Sequence, residues 1–180
     1  MPNKMVAIEG IDGTGKSTVA KLLADLMGAT LIKTPFGPMI GQRAYYDGEG
    51  IAPLVRYLFY LNCNVVASEE IERLLQSGPV VCDRYLISTL CFHKAMGVDV
   101  DIVDISKLPI VQPDHYFCLQ AAEEVRLQRL YSRGYLSDTD EKIDLLREVD
   151  LMLPRYCGNI IDTTLLSADE VAQKIFNMIG

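Results

Sequence analysis

Apolar residues come in short bursts along the chain, and the spacing inside each burst predicts an element. Met5–Glu9 is an apolar run that stops at Gly10, a strand; from Lys16 onward Val19, Leu22, Leu23 and Leu26 recur at spacings of three and four, a helix that Gly28 closes. Thr30–Ile32 reads as a second strand, and Thr34–Pro38, with two prolines and a glycine, as a loop. Between Ala52 and Leu75 the residues Leu54, Leu58, Leu61, Val65 and Ile71 keep helical spacing up to the Ser77-Gly78-Pro79 stop, which makes this the longest helix. Val80–Cys82 and Tyr116–Leu119 are continuous apolar runs, as buried parallel strands are. Glu123–Arg133 and Lys142–Leu153 read as helices, Asn159–Asp162 as a fifth strand and Ala168–Ile179 as a closing amphipathic helix. Strands that alternate with helices predict an α/β fold whose parallel sheet is covered on both faces.

Composition narrows the functional classes. With 180 residues, 49% of them hydrophobic, the chain suits one domain over residues 1–180 and excludes intrinsic disorder. Its 17 basic and 24 acidic residues leave a net charge of −7, the wrong sign for coating a nucleic acid polymer or an anionic membrane. An anionic ligand must therefore meet a local pocket of positive charge. The five cysteines Cys63, Cys82, Cys91, Cys118 and Cys157 show no metal-ligand spacing, which fits a reduced compartment. With neither a cleavable leader pattern nor an apolar run of about 18 residues, a cytoplasmic protein without a membrane span is expected.

The chemistry is concentrated in residues 10–17, GIDGTGKS, placed where the first strand gives way to a helix. There Gly13, Thr14, Gly15 and Thr18 let backbone N–H groups turn around phosphate oxygens at a helix N-terminus; Lys16 reaches the β and γ phosphates, and Ser17 offers a hydroxyl to Mg²⁺. ATP and Mg²⁺ are the ligands this implies. A GTPase switch should also carry an NKxD base reader, which is missing, and Asp47–Gly50 fits DxxG only in a polar loop without a preceding strand. The third strand ends in Asp83-Arg84, a pair suited to an anion and to a metal-bound water or sugar hydroxyl. Arg126, Arg129 and Arg133 lie three and seven positions apart, so they share a helix face while Leu127 and Leu130 point elsewhere; the face is either solvated or turned to an anion.

Taken together, IEGIDGTGKST (Ile8–Thr18), DRYLISTLCFH (Asp83–His93) and PDHYFCL (Pro113–Leu119) followed by EEVRLQRLYSRG (Glu123–Gly134) resemble the thymidylate kinase family, nucleoside monophosphate kinases on the P-loop fold. The resemblance spans nearly the whole chain in order. It implies a P-loop kinase three-layer sandwich, with a five-stranded parallel sheet and a short lid near residues 133–141, working as a homodimer. It also implies roles. Asp12 matches the acid of the family's loop, Arg84 the arginine that holds the acceptor monophosphate, Asp83 and Ser17 the metal side, and Ser88 the serine of the DRY…S motif. Arg129 and Arg133 are the lid charges that close on the transferring phosphoryl group. Gly13 stands where one branch of the family carries an arginine, so in this chain the charge is expected from the lid.

Several positions depart from the family. Lys33–Gly37 lacks the arginine and glutamate that usually follow the second strand, and Arg43 either replaces that arginine or is a solvated surface residue. Phe59 matches the base-stacking aromatic and Phe92 the aromatic near the sugar, but Cys63 replaces an arginine that reads a thymine carbonyl and His93 replaces a glutamine. Phe59 and Cys63 read equally as core residues, and His93 as a surface helix residue. Gln120 stands in for an acid after the fourth strand. The expected activity is phosphoryl transfer from ATP to a (deoxy)pyrimidine nucleoside monophosphate, with a different or modified pyrimidine preferred over dTMP. A nucleoside or other small-molecule kinase and a non-catalytic nucleotide sensor are the alternatives.

Overall fold

The computed structural model describes residues 3–134 and 143–180. Five strands, β1 (Met5–Glu9), β2 (Thr30–Lys33), β3 (Val80–Asp83), β4 (His115–Gln120) and β5 (Asn159–Asp162), form one sheet in the order β2-β3-β1-β4-β5. Every pairing is parallel, with Met5 opposite Val80, Val6 opposite His115, Thr30 opposite Val80 and Phe117 opposite Asn159. The continuous apolar runs have the reason expected. Central β1 is buried along its length, and its side chains alternate between two cores. Met5 and Ala7 pack with Tyr57, Leu61, Ile71 and Tyr85, whereas Val6 and Ile8 pack with Val19, Leu23, Val171 and Ile175.

The helices that supply these layers are α1 (Lys16–Met27), α2 (Arg43–Tyr46), α3 (Pro53–Leu75), α4 (Leu86–Ala95), α5 (Glu123–Tyr131), α6 (Ile143–Met152) and α7 (Ala168–Ile179). Helix α3 begins on Pro53, whose missing N–H costs nothing at a first helical position. Helix α7 begins with a capping box between Ser167 and Glu170. Both α2 and α4 were absent from the periodicity reading. Helix α4 escapes it because Leu86, Ile87, Ser88, Thr89, Cys91 and His93 are buried all around the helix, leaving no polar face to mark a period.

Two expectations need correction. Helix α5 stops at Tyr131, so Arg133 lies beyond it, exposed, just before Gly134 at φ 65°. Leu130 does not point away from the arginines, because it is buried together with Arg126, four residues earlier on the same side of the helix. Of the expected lid, residues 135–141 lie outside the described residues, as does Lys142 of the expected sixth helix. All five cysteines are free and buried. No helix among the described residues is long and apolar enough to cross a membrane.

Candidate active site

The carboxyl ends of β1 and β3 meet at one edge of the sheet, where open α/β sheets bind ligands. Gly10 takes φ 147° and Gly13 φ 87°, and each is crowded: a Cβ on Gly10 would lie 2.5 Å from the Leu119 carbonyl oxygen, and one on Gly13 2.3 Å from Arg126 Cγ. Only glycine lets the loop pass this close. Gly15 caps α1 without any side-chain hydrogen bond, so the first amides of α1 face the loop without a protein side chain to satisfy them. Lys16 is buried and folded into this loop, its Nζ donating to the Ile11 carbonyl at 2.7 Å and lying 3.7 Å from Asp12. Burial first, then the positive charge of Arg84, push the lysine down to about 7.

The second motif closes over the first. Arg84 has φ 64°, the only non-glycine residue among those described in the left-handed region, which costs roughly 1–2 kcal/mol. The turn aims its guanidinium across the loop. Nη1 donates to the Gly10 carbonyl at 2.9 Å and to Ser88 Oγ at 3.4 Å, Nη2 donates to Asp12 Oδ1, and Cζ lies 5.3 Å from the Phe92 ring centroid. Burial raises the Asp12 pKa, but the charges of Arg84, Lys16 and Arg43 outweigh it and hold the carboxyl at about 2. Beneath Arg84 the fully buried Glu9 accepts from the Tyr85 N–H at 3.0 Å and from the Ser88 hydroxyl, and its pKa is raised, chiefly by burial. Glu9 was read only as the end of an apolar run; an acid closing a strand that is buried on both faces was the signal for its role.

Ser17 Oγ donates to Asp83 Oδ2 at 2.6 Å, and Lys33 Nζ lies 3.7 Å from the same oxygen. Asp83 Oδ1 is buried with no hydrogen-bond partner among the described residues. An orphaned carboxylate oxygen beside a serine hydroxyl is a donor set that suits Mg²⁺, which commonly takes one or two protein oxygens and completes its shell with phosphates and water. Gln120 turns away from this pair and donates to the Asp150 backbone carbonyl at 3.1 Å.

The three arginines of the α5 region are placed differently. Arg126, 2% exposed, donates from Nη1 to the Asp12 carbonyl at 3.1 Å and so seats the loop against α5. Arg129 grips Thr163, through the hydroxyl at 3.0 Å and the carbonyl at 2.7 Å, and Thr163 in turn donates to the Thr14 carbonyl at 3.0 Å. Arg133 is exposed. Neither the seating role of Arg126 nor the Thr163 link was legible from spacing, because both depend on where α5 packs. Arg43 pairs with Asp47 at 2.9 Å, while its charge also acts on Asp12.

The expected base pocket is tightly filled. Phe59 and Cys63 are buried with Met39 and packed against Tyr46 and Tyr60; burial pushes the Cys63 thiol up to about 12. His93 is not a surface residue, being 3% exposed in the α3–α4 contact, where burial lowers its pKa. Its Nδ1 lies 2.7 Å from the Thr89 carbonyl, which can only accept, so Nδ1 carries the proton and Nε2 is an acceptor. That Nε2 and the Asn64 Oδ1 have no hydrogen-bond partner among the described residues. Asn64 donates from Nδ2 to Tyr60 O at 2.9 Å and Thr89 Oγ1 at 2.8 Å. It was missed; a lone amide within a buried helix face was its sign.

A family model described as thymidylate kinase matches residues 8–175. A probable thymidylate kinase of Archaeoglobus fulgidus is 33% identical over 153 residues, covering 81% of this chain and 78% of that protein. One of Methanocaldococcus jannaschii is 29% identical over 189 residues, covering 98% of this chain and 96% of that protein. Among solved structures, the thymidylate kinase of Candida albicans aligns with a TM-score of 0.83 at 20% identity, over 99% of this chain and 91% of that one.

Proposed function

Because the chain belongs to the thymidylate kinase family, whose members are nucleoside monophosphate kinases, we propose that it transfers the γ-phosphoryl group of ATP to a (deoxy)pyrimidine nucleoside monophosphate and prefers a different or modified pyrimidine to dTMP. The observation that carries the reaction is the joining of the two motifs, with Lys16 buried in the loop and Arg84 spanning Gly10, Asp12 and Ser88. Phosphoryl transfer is catalysed mainly by positioning and charge neutralisation, and these groups supply both. An oxygen of the acceptor monophosphate forms the new P–O bond as the bond from the γ-phosphorus to the β–γ bridging oxygen breaks, leaving ADP and a nucleoside diphosphate. Arg84 orients the acceptor phosphate, Lys16 holds the donor phosphates, and Arg129 and Arg133 add positive charge from the lid side. Ser17 and Asp83 would hold Mg²⁺, which when bound neutralises charge on the β and γ phosphates.

The specificity reading rests on the base edge. In place of an arginine and a glutamine the chain has a weakly donating thiol, and an imidazole whose Nε2, without a hydrogen-bond partner among the described residues, is an acceptor. A thymine carbonyl finds no strong donor in that pair, and sites built for one polar pattern reject others. The test is ADP release from Mg·ATP with dTMP, dUMP, dCMP, UMP and CMP, compared by kcat/KM. We expect a monophosphate other than dTMP to lead. A lead for dTMP of more than about tenfold, roughly 1.4 kcal/mol, would overturn the specificity reading. ATP binding without ADP release for any acceptor would instead indicate a sensor.

The same reading includes a cytoplasmic homodimer, supported by Leu54, Val55 and Leu58, which α3 leaves exposed. Sedimentation at micromolar concentration is expected to give twice the mass of the 20.1 kDa chain, and a single-chain mass counts against it.

A further inference from the structure

The aromatic ring on which a base is expected to stack already has a partner. Tyr46, the last residue of α2, lies over Phe59 with ring centroids 4.0 Å apart and planes 11° from parallel. This is the arrangement a planar base would take on the same ring. Tyr60 meets Phe59 edge-on at 5.3 Å, Met39 and Cys63 pack around it, and Phe59 is left 5% exposed. The ring face under Tyr46 is thereby closed to a second flat ligand, although Phe59 also borders the cavity beside Tyr46.

Tyr46 is held in place chiefly by polar contacts around its backbone. Arg56 Nε donates to the Tyr46 carbonyl at 2.9 Å, and Nη2 donates to the carbonyls of Asp47 at 3.2 Å and Gly48 at 3.3 Å. The Asp47 carboxylate accepts from Tyr60 Oη at 3.0 Å and from Arg43 Nε at 2.9 Å. Helix α2 is only four residues long, and the half-buried Tyr46 side chain borders a cavity of about 300 Å³ that Met39, Gln42, Val55 and Leu58 help to line. A segment fastened at its backbone, with its ring beside open volume, can turn that ring aside without unfolding the core.

Resting on the kinase reading above, we propose that Tyr46 is an autoinhibitory residue that occupies the acceptor's stacking place on Phe59, so that each acceptor base must displace it. Displacement exchanges one aromatic stack for another, and stacking energy, which every pyrimidine offers, nearly cancels. What remains to favour a base is the pattern of hydrogen bonds along its edge. Tyr46 thereby weakens every acceptor by a similar factor and leaves the choice among them to those edge contacts. It acts on acceptor binding, whereas Lys16 and Arg84 act on the transferring group.

The test compares wild type, Tyr46→Ala, Tyr46→Leu and Tyr46→Phe with the five pyrimidine monophosphates, using steady-state kinetics and calorimetric Kd. Tyr46→Ala is expected to lower KM and Kd for every monophosphate about five- to tenfold at unchanged kcat, with the order of acceptors kept. Tyr46→Phe, which keeps the stack, is expected to behave as wild type, and Tyr46→Leu to follow Tyr46→Ala should the smaller side chain impair folding. A KM that stays the same or rises in both non-aromatic variants overturns the inference, the rise showing that Tyr46 holds the base itself. Should no variant transfer phosphate to any monophosphate, the kinase reading fails, and the calorimetric Kd still decides the role of Tyr46: tightening sustains it and no change overturns it.

Discussion

Lys16→Ala is expected to lower kcat for ADP formation about 10³-fold, roughly 4 kcal/mol of transition-state stabilisation, while the chain stays folded. Lys16 Nζ sits buried inside the loop on the Ile11 carbonyl, already in place, and the negative charge of the donor phosphates would hold its proton on. A charge held in that way needs no reorganisation during the reaction. On the proposed donor role of Lys16 the loss should fall on kcat more than on the KM of the acceptor. A variant that keeps more than about a tenth of the wild-type rate would remove the donor assignment.

The same lysine burdens the fold, and this gives the prediction a second readout. Its pKa is about 7 in the folded chain against about 10.4 when unfolded. Between these values the unfolded chain carries a proton that the folded chain lacks, so stability contributed at this site rises as pH climbs from 7 towards 10.4. Below pH 7 the burial cost is borne in full. Lys16→Met, close in volume and without charge, is therefore expected to be more stable than wild type at pH 6, by up to a few kcal/mol, with the difference shrinking at alkaline pH. Urea unfolding at pH 6 and pH 9 measures it. Equal stability of the two proteins at pH 6 would show that Asp12 and its neighbours already repay the burial.

Most of the sheet could be read from the chain because buried parallel strands are short apolar runs bounded by glycine, proline or an acid. Met5–Glu9 and Asn159–Asp162 have the bounds expected, and the other three strands differ by one or two residues at their ends. Helix α4 was hidden by being apolar on every side, and α2 by being a single turn. The end of α5 was misplaced because Arg133 kept the helical spacing of Arg126 and Arg129 after the helix had already ended.

The site divides along the same line. The phosphate loop and the Asp83-Arg84 pair are local, since each needs only its own strand end, and their residues converge as the motifs imply. Contacts between distant segments left no local mark: Arg126 on the Asp12 carbonyl, Thr163 between Arg129 and Thr14, and Tyr46 on Phe59. Each pairs residues that only the packing of one element on another brings together. Polarity in the wrong place was the available sign, as with Glu9 closing a buried strand and Asn64 within a buried helix face.

Gly13→Ala is expected to destabilise the fold by about 2–5 kcal/mol, combining left-handed backbone strain with overpacking, and to lower Tm by roughly 6–12 °C. The new Cβ would lie 2.3 Å from Arg126 Cγ and 2.7 Å from the Arg126 carbonyl oxygen, at a backbone φ of 87°. The side chain of Arg126 can move, but its carbonyl belongs to α5 and cannot. Moving the side chain also breaks the hydrogen bond from Arg126 to the Asp12 carbonyl that seats the loop, so kcat falls with stability. Arg126→Ala in the Gly13→Ala background relieves the Cγ contact but not the carbonyl contact, and gives up the hydrogen bond to the Asp12 carbonyl as well, so it should recover less than half of the lost stability. Full recovery would mean that the side chain alone makes the conflict. The geometry also explains why this chain has glycine where one branch of the family has arginine. A buried arginine from α5 fills the space a loop side chain would need, and any further positive charge on the transferring phosphoryl group has to approach from the lid side, where Arg133 is exposed.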